Sequence, residues 1–397
     1  MDPDRSGTIS LPIRVGLIGY GFSGKTFHAP LIASVPGLTL AAVASSDAAK
    51  VRADFPDVVV HADPLALIAA GDIDLVVVAT PNDTHAPLAR AAISAGRNIV
   101  VDKPFTLDLD EARDLLALAA AHGVLLSVFH NRRWDSDFLT IRAAIDGGVV
   151  GDVTHFESHY DRFRPTVRDR WRERAGVGSG VWFDLGPHLV DQALSLFGVP
   201  DRVQGSLAAQ RPGAVTDDWA HAILDYGDRR VVLQATMLAA GGTARFTVHG
   251  TGGSMIKRFA DRQEEQLLGG MCPGEPDWGE DSDPLLIHRV GGTERRPALP
   301  GDQRAYYRGI AAALAGKGRN PVEPVEALAV MAVVEAVRTA AAAGSRIAVP
   351  LTDDERTAAD IALHRLPTER ESARGLTRRR GPARRRTGSP SEATGAA

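Results

Sequence analysis

Short apolar stretches recur through the first third of the chain, each followed by a segment of helical spacing. Residues 13–18, 38–44, 58–61, 74–80, 98–101 and 124–129 read as strands. Residues 27–35, 63–70, 84–95 and 109–122 read as helices, with Pro30 expected early in the first and Gly96 closing the third as a C-terminal cap. Nearly continuous apolar strands that alternate with helices are covered on both faces, which is the arrangement of a parallel, doubly wound sheet.

The pattern changes after about Trp134. Residues 138–146 form one more helix. The strands that follow, at 155–161, 203–210, 219–226, 230–238 and 245–249, are more polar and joined by glycine-bearing turns such as Tyr226-Gly227-Asp228. Short connections between successive strands imply antiparallel pairing. Helices return at 303–315 and 325–343. The chain therefore divides into an extension at 1–12, a nucleotide-binding domain at 13–132, a second α+β domain at 133–350 and a tail at 351–397. From about Asp353 the sequence is poor in apolar residues and carries Arg378-Arg379-Arg380 and Arg384-Arg385-Arg386. Such a segment is expected not to order itself; a dispensable extension is favoured over a contact with nucleic acid or an acidic partner.

Composition narrows the function classes. Of 397 residues, 44% are hydrophobic and 24% charged, and the formal net charge of -4 gives the folded domains no reason to seek nucleic acid. One cysteine, Cys272, leaves neither a disulfide framework nor a cysteine-rich zinc site. No apolar run approaches the roughly 20 residues of a membrane span, and residues 1–6 lack the long apolar run of a secretion signal. A cytoplasmic protein is expected.

The first strand runs directly into Gly19-Tyr20-Gly21-Phe22-Ser23-Gly24. Strand, Gly-x-Gly-x-x-Gly and helix in that order form the dinucleotide fingerprint. Gly19 makes the tight turn, Gly21 admits a pyrophosphate to the backbone, and Gly24 allows close helix packing. A phosphate-loop pattern, Gly19-x4-Gly24-Lys25-Thr26, overlaps it. That alternative needs a metal-holding carboxylate after a second strand, where this chain has Thr80-Pro81-Asn82. Ser45 and Ser46 end the second strand with hydroxyls suited to a 2′-phosphate, with Lys50 and Arg52 nearby. NADP is therefore expected. Asp47 leaves NAD open as the alternative.

Lys103 follows a buried strand in Val100-Val101-Asp102-Lys103-Pro104, so the strand's carboxyl end delivers it to the crevice where ligands bind. Residues 182–197 have helical spacing despite Gly186-Pro187, which puts Asp184, His188 and Asp191 on one face. Two flanking carboxylates are expected to fix the imidazole's tautomer, and an ordinary histidine titrates near ~6.5, suited to taking a proton at neutral pH.

From about Ile13 to Pro350 the sequence resembles the Gfo/Idh/MocA oxidoreductases, the family of glucose–fructose oxidoreductase and inositol dehydrogenase, and within it the NADP-dependent scyllo-inositol dehydrogenase branch. The likeness is carried by the glycine turn, Asp102-Lys103-Pro104 (commonly Glu-Lys-Pro in the family), Asp169-Arg-Trp-Arg-Glu173, Trp182-Phe-Asp-Leu-Gly-Pro-His188 and the run from Phe129 to Phe138. The resemblance implies a Rossmann domain followed by an open, mainly antiparallel sheet used for homo-oligomerisation into a dimer or tetramer. It implies that Lys103 hydrogen-bonds the reacting hydroxyl, that His188 accepts its proton, and that Asp184 holds substrate or orients the imidazole, with no metal. Thr80, Pro81, Asn82 and His85 would line the cofactor edge, Asp102 would keep its charge toward the nicotinamide ribose, and Trp171 and Arg172 would reach the nicotinamide. Asn131, Tyr160 and Arg162 are candidates for sugar or cyclitol hydroxyls.

The leading expectation is an NADP-dependent dehydrogenase of a polyol, cyclitol or sugar. The alternatives are a reductase of another carbonyl class, such as a dihydrodiol or ketoaldose, and a dinucleotide-sensing regulator without chemistry. A sensor does not need Lys103, Asp184 and His188 together.

Overall fold

The computed structural model describes residues 12–364. Strands β1 (Ile13–Ile18), β2 (Leu38–Ala44), β3 (Val59–His61), β4 (Leu75–Val78), β5 (Asn98–Val101) and β6 (Leu126–Val128) form one parallel sheet in the order β3-β2-β1-β4-β5-β6. This is the dinucleotide-binding order, with a reversal between β1 and β4 that opens a crevice at the strands' carboxyl ends. All four residues of β4 are buried, as a sheet covered on both faces requires. Helices α1 (Ala29–Ala33), α2 (Ala48–Asp54), α3 (Pro64–Ala69), α4 (His85–Ser94) and α5 (Leu109–His122) supply the cover. Asp63 and Asp108 cap α3 and α5 by accepting from the backbone at Leu65 and Glu111.

Two local features differ from expectation. Pro30 keeps the early place expected of it, second in α1, but a π-helical turn at Gly24–His28, closed by Ala29 N–H to Gly24 O, precedes that helix and was not anticipated. The wider turn absorbs the missing proline donor. Helix α2 was not anticipated. It is short and weakly amphipathic, and its start is set by Asp47, whose carboxylate accepts from Lys50 N–H at 3.0 Å.

After α6 (Ser136–Asp146) the chain builds a nine-stranded sheet from β7 (Val153–Asp161), β8 (Arg202–Ala208), β9 (Trp219–Tyr226), β10 (Arg229–Thr236), β11 (Phe246–Gly250), β12 (Gly253–Lys257), β13 (Leu285–Arg289), β14 (Gly292–Arg296) and β15 (Ile347–Ala348). The order is β14-β13-β12-β11-β7-β10-β9-β8-β15; only β7 and β10 pair in parallel. Alternating burial along β9 and β10 leaves one face packed and the other partly solvated. The packed face is covered by α7 (Val181–Phe197) and α10 (Pro324–Ala343), with α8 (Gln263–Leu268) and α9 (Arg304–Leu314) completing the domain.

Helix α7 runs unbroken through Gly186-Pro187. A Cβ on Gly186 would lie 2.8 Å from the Trp182 indole, so glycine makes room for that buried ring. The N-terminal end at Gly180 carries no capping side chain; Asp217, distant in sequence, accepts from Trp182 N–H at 2.7 Å instead.

The tail expectation needs correction at its start. Asp353–His364 folds as helix α11, packed on α7 and α10 through Ala359, Ala362 and Leu363. Its buried apolar residues are two alanines and one leucine, with Ile361 left exposed, a stripe too slight to stand out in so polar a segment. The arginine runs lie outside the described residues. No described helix is long and apolar enough to cross a membrane.

Candidate active site

The carboxyl ends of β1, β4 and β5 bring three loops to the crevice. At β1, Gly19 has φ 97°, and a Cβ there would sit 2.5 Å from Ala79 O. A Cβ on Gly24 would overlap the Gly19 carbonyl oxygen, so helix and strand approach here as only glycine permits. A Cβ on Gly21 would meet no protein atom within 4 Å. Nothing in the protein demands glycine at that point. Phe22 beside it is exposed, and Lys25 turns away to pair with Asp54 at 2.7 Å. A phosphate-loop lysine has no place in that geometry.

At the end of β2, the Ser45 hydroxyl accepts from Asp47 N–H at 3.1 Å, and Ser46 is exposed. Asp47 spends its carboxylate on the start of α2. Lys50, expected as a free cation, is tied to Tyr20 O at 2.9 Å, whereas Arg52 is exposed. After β4, Thr80 and Thr84 share a hydrogen bond at 2.6 Å, Pro81 is exposed, and Asn82 donates to Gly178 O at 2.9 Å, tying the nucleotide half to the second domain. His85 is a brace rather than a ligand-facing group: Nδ1 lies 2.8 Å from Pro104 O and Nε2 3.0 Å from Thr80 O. Both ring nitrogens lie against protein carbonyls, and whichever carries the proton donates to its neighbour, so the ring couples the two loops.

At β5, Asp102 is buried and accepts from Lys103 N–H at 2.7 Å, with His28 Nε2 at 3.6 Å. Burial opposes its ionisation, but His28, Lys103 and Ser23 together hold its carboxyl well below the usual range. Lys103 Nζ crosses to helix α7, donating to Asp184 O at 2.6 Å and Asp184 Oδ1 at 3.0 Å. Arg172 Nε approaches the same oxygen at 3.4 Å from the turn Trp171–Glu173, its guanidinium stacked 4.4 Å from the Trp171 ring. Burial works against the Asp184 charge, yet Lys103, Arg172 and Arg162 outweigh it and hold its carboxyl well below the usual range.

His188 corrects two expectations. Neither flanking carboxylate orients it: Asp184 is spent on Lys103 and Arg172, and Asp191 on Arg133 at 2.6 Å. The His188 Nδ1 atom is buried with no hydrogen-bond partner. Nor does the ring titrate ordinarily. Burial, then the charges of Lys103 and Arg132, then His130 and Arg162, push its proton affinity well below the usual histidine value. It stands as a neutral base beside an ammonium.

Asn131 donates to Gln303 Oε1 at 3.0 Å. Tyr160 is buried with its hydroxyl unpartnered, under Arg245 at 3.9 Å. Arg162 is half-buried just past β7, within electrostatic reach of both Asp184 and His188.

His130 was not anticipated. Both its ring nitrogens are buried without partners, and burial drives its proton affinity down to about 4. Its place one residue after Phe129, at the end of the last parallel strand, was the available signal.

Comparison with known proteins accords with this geometry. Residues 13–130 match the oxidoreductase family's NAD-binding Rossmann fold and residues 142–350 its C-terminal alpha/beta domain. The chain is 55% identical over 327 residues to the uncharacterized oxidoreductase YdgJ of Escherichia coli K12, covering 81% of this chain and 94% of that one. It is 37% identical over 330 residues to scyllo-inositol 2-dehydrogenase (NADP(+)) IolW of Bacillus subtilis 168, covering 82% and 92%. A crystal structure from Klebsiella pneumoniae superposes with a TM-score of 0.85 at 56% identity, over 89% of this chain and 100% of that one. Fold, glycine turn and both domain matches agree: the chain belongs to the Gfo/Idh/MocA family and is an NAD(P)-dependent oxidoreductase.

Proposed function

We propose that the protein is an NADP-dependent oxidoreductase of a polyol, inositol-like cyclitol or sugar hydroxyl, with Lys103 and His188 handling the proton. The carrying observation is the reach of Lys103 across the two domains to Asp184, one helical turn from an unpartnered, neutral His188.

A dinucleotide fits the residues present. The requirement for glycine at position 21, which no protein atom imposes, falls on a diphosphate at the helix end. Gly19, Gly21, Phe22, Ser23 and Gly24 would hold it, with Thr80, Pro81 and Asn82 along the edge and Asp102, Trp171 and Arg172 toward the nicotinamide. Ser45, Ser46 and Arg52 suit a 2′-phosphate, and Asp47 is occupied as a helix cap. When bound, the nicotinamide supplies the two-electron acceptor or donor for a hydride at the substrate carbon.

An ammonium has three N–H donors. Lys103 spends two directions on Asp184, which leaves one for the substrate oxygen as negative charge builds there. His188 takes the hydroxyl proton in oxidation and returns it in reduction. Low proton affinity keeps the imidazole in its accepting form across neutral pH. The inositol dehydrogenases among the relatives favour a polyhydroxylated substrate, and Asn131, Tyr160 and Arg162 are the side chains proposed to meet it. A homo-oligomer in the cytoplasm remains part of the proposal.

Lys103→Met is the direct test. Loss of the donor should lower kcat by about 10²- to 10⁴-fold on any polyol the wild type oxidises, with NADPH still bound. Unchanged kcat would remove Lys103 from the mechanism.

A further inference from the structure

Past the end of β7 the chain carries six arginines between Arg162 and Arg174 against two carboxylates, Asp169 and Glu173. Three of the six are paired: Arg174 with Asp169 at 2.9 Å, Arg170 with Glu173 at 2.7 Å and Arg172 with Asp184 at 3.4 Å. Arg162, Arg164 and Arg168 have no carboxylate at ion-pair distance among the described residues. Arg168 is exposed, as solvated arginines usually are. Arg162 and Arg164 are not.

These two are held by the sheet rather than hung on a loose loop. Arg162 N–H donates to Thr236 O at 2.9 Å, Ala239 N–H donates to Arg162 O at 3.0 Å, and Arg164 N–H donates to Met237 O at 2.8 Å. Buried Arg211, anchored by Asp218 and Glu173, donates to Arg164 O at 3.1 Å and Thr166 O at 3.3 Å. The loop is fixed from both sides.

Side chains alternate along extended chain, so Ser158, Tyr160 and Arg162 share one face, and the like-directed N–H groups of Arg162 and Arg164 carry the alternation onward. Ser158 and Tyr160 are buried on that face, which makes it the packed, inner one. The row therefore leads from an unpartnered buried hydroxyl to two unpaired guanidiniums, both within electrostatic reach of Asp184 and, for Arg162, of His188 as well. Arg164 is also the point where like charges crowd: burial, then Arg162, Arg168 and Arg170, favour its neutral form, outweighing the opposing carboxylate of Asp184. An anion relieves both the repulsion and the unmet donors.

We propose that Arg162 and Arg164 form a subsite for an acidic group, a carboxylate or a phosphate, carried by the same sugar or polyol whose hydroxyl meets Lys103 and His188. A neutral polyol satisfies Tyr160 and leaves both guanidiniums bare. An acidic one satisfies all three. The inference rests on the oxidoreductase reading above and narrows its substrate.

The test uses the full-length protein with NADP(H) and matched substrates: glucose against glucuronate for the carboxylate, and glucose against glucose 6-phosphate together with inositol against its monophosphate for the phosphate. One acidic arm should exceed its neutral partner in kcat/KM by about tenfold or more, the size of one charge-assisted contact, and the arm that does so names the group. The excess should shrink at high salt. In Arg162→Gln and Arg164→Gln the acid-to-neutral ratio should fall toward one, chiefly through KM. NADPH fluorescence confirms that each variant is folded. Equal or better turnover of the neutral partner in every pair overturns the subsite. If nothing is turned over, the polyol-or-sugar reading fails separately, and titrating the NADPH-loaded protein with glucuronate and glucose 6-phosphate still decides the subsite. Binding weakened about tenfold by Arg162→Gln supports it; no saturable binding, or binding indifferent to both arginines, overturns it.

Discussion

Two carboxylates on helix α7, Asp184 and Asp191, flank the same histidine and do opposite work. Asp191 is almost wholly buried and receives Arg133 through both Nε and Nη2, at 3.0 Å and 2.6 Å, while the same guanidinium reaches Glu326 at 3.0 Å. Glu326 is itself part of the capping box that opens α10. Every charge in that group has a protein partner, and the group joins three elements of the second domain. Asp184, nearer the helix start, faces Lys103 and Arg172 with Arg162 behind them. There the cations outnumber the carboxylate, and His188, His130 and Tyr160 keep polar atoms without partners. Complete satisfaction marks a structural joint. Buried, incomplete satisfaction marks the place where a ligand completes the chemistry.

The largest effect should come from the joint. Arg133→Met strands two buried carboxylates and should cost about 3–5 kcal/mol of unfolding free energy in urea. Replacing Asp191 and Glu326 as well with apolar residues should recover much of that loss. A small loss in the single variant would mean that the trio is not what holds α7 to α10.

Next comes pH, read at the open end of the helix. His130 is buried and pushed down to about 4, and His188 is held well below its ordinary value. In the unfolded chain both take up protons near ~6.5. Between about pH 6.5 and about pH 4 the unfolded state therefore binds more protons than the folded one, and stability falls as pH falls through that window. His130 alone accounts for at most about 3 kcal/mol by pH 4. His130→Leu should flatten the unfolding free energy between pH 7 and pH 4.5 by a large part of that amount. An unchanged slope would place the loss of stability elsewhere.

Much of this was legible because the nucleotide half writes its structure locally. Apolar strands at regular spacing and a glycine turn in which Gly19 and Gly24 each have a backbone reason suffice to draw the parallel sheet. Lys103 and His188 were legible too, since strand ends and helix faces can be counted. Their partners were not. The pairing of Asp191 with Arg133 joins residues 58 apart, and that of Lys103 with Asp184 joins residues 81 apart. A helical wheel shows who shares a face but not who waits opposite. Helix α2 and strands β12 to β14 were missed for a related reason: they are short, and their place in the fold comes from neighbours rather than from their own periodicity.

The same conservative change at both ends of α7 sharpens the contrast furthest. In Asp184→Asn the side-chain oxygen still accepts from Lys103, and the 2.6 Å bond to the backbone oxygen is untouched, so the ammonium stays in place. What disappears is the charge balancing Lys103 and Arg172. The loss should appear in kcat/KM as about 10- to 100-fold, the scale of a hydrogen bond to a charged group, with little movement in the unfolding midpoint. Asp191→Asn likewise keeps one acceptor but breaks the two-pronged contact with Arg133, in a place where neither water nor ligand can substitute. Its loss should appear in stability, with kcat/KM per folded molecule nearly intact. Should the two variants move both readouts alike, helix α7 would be a single electrostatic unit, and the division between joint and active site would have to be abandoned.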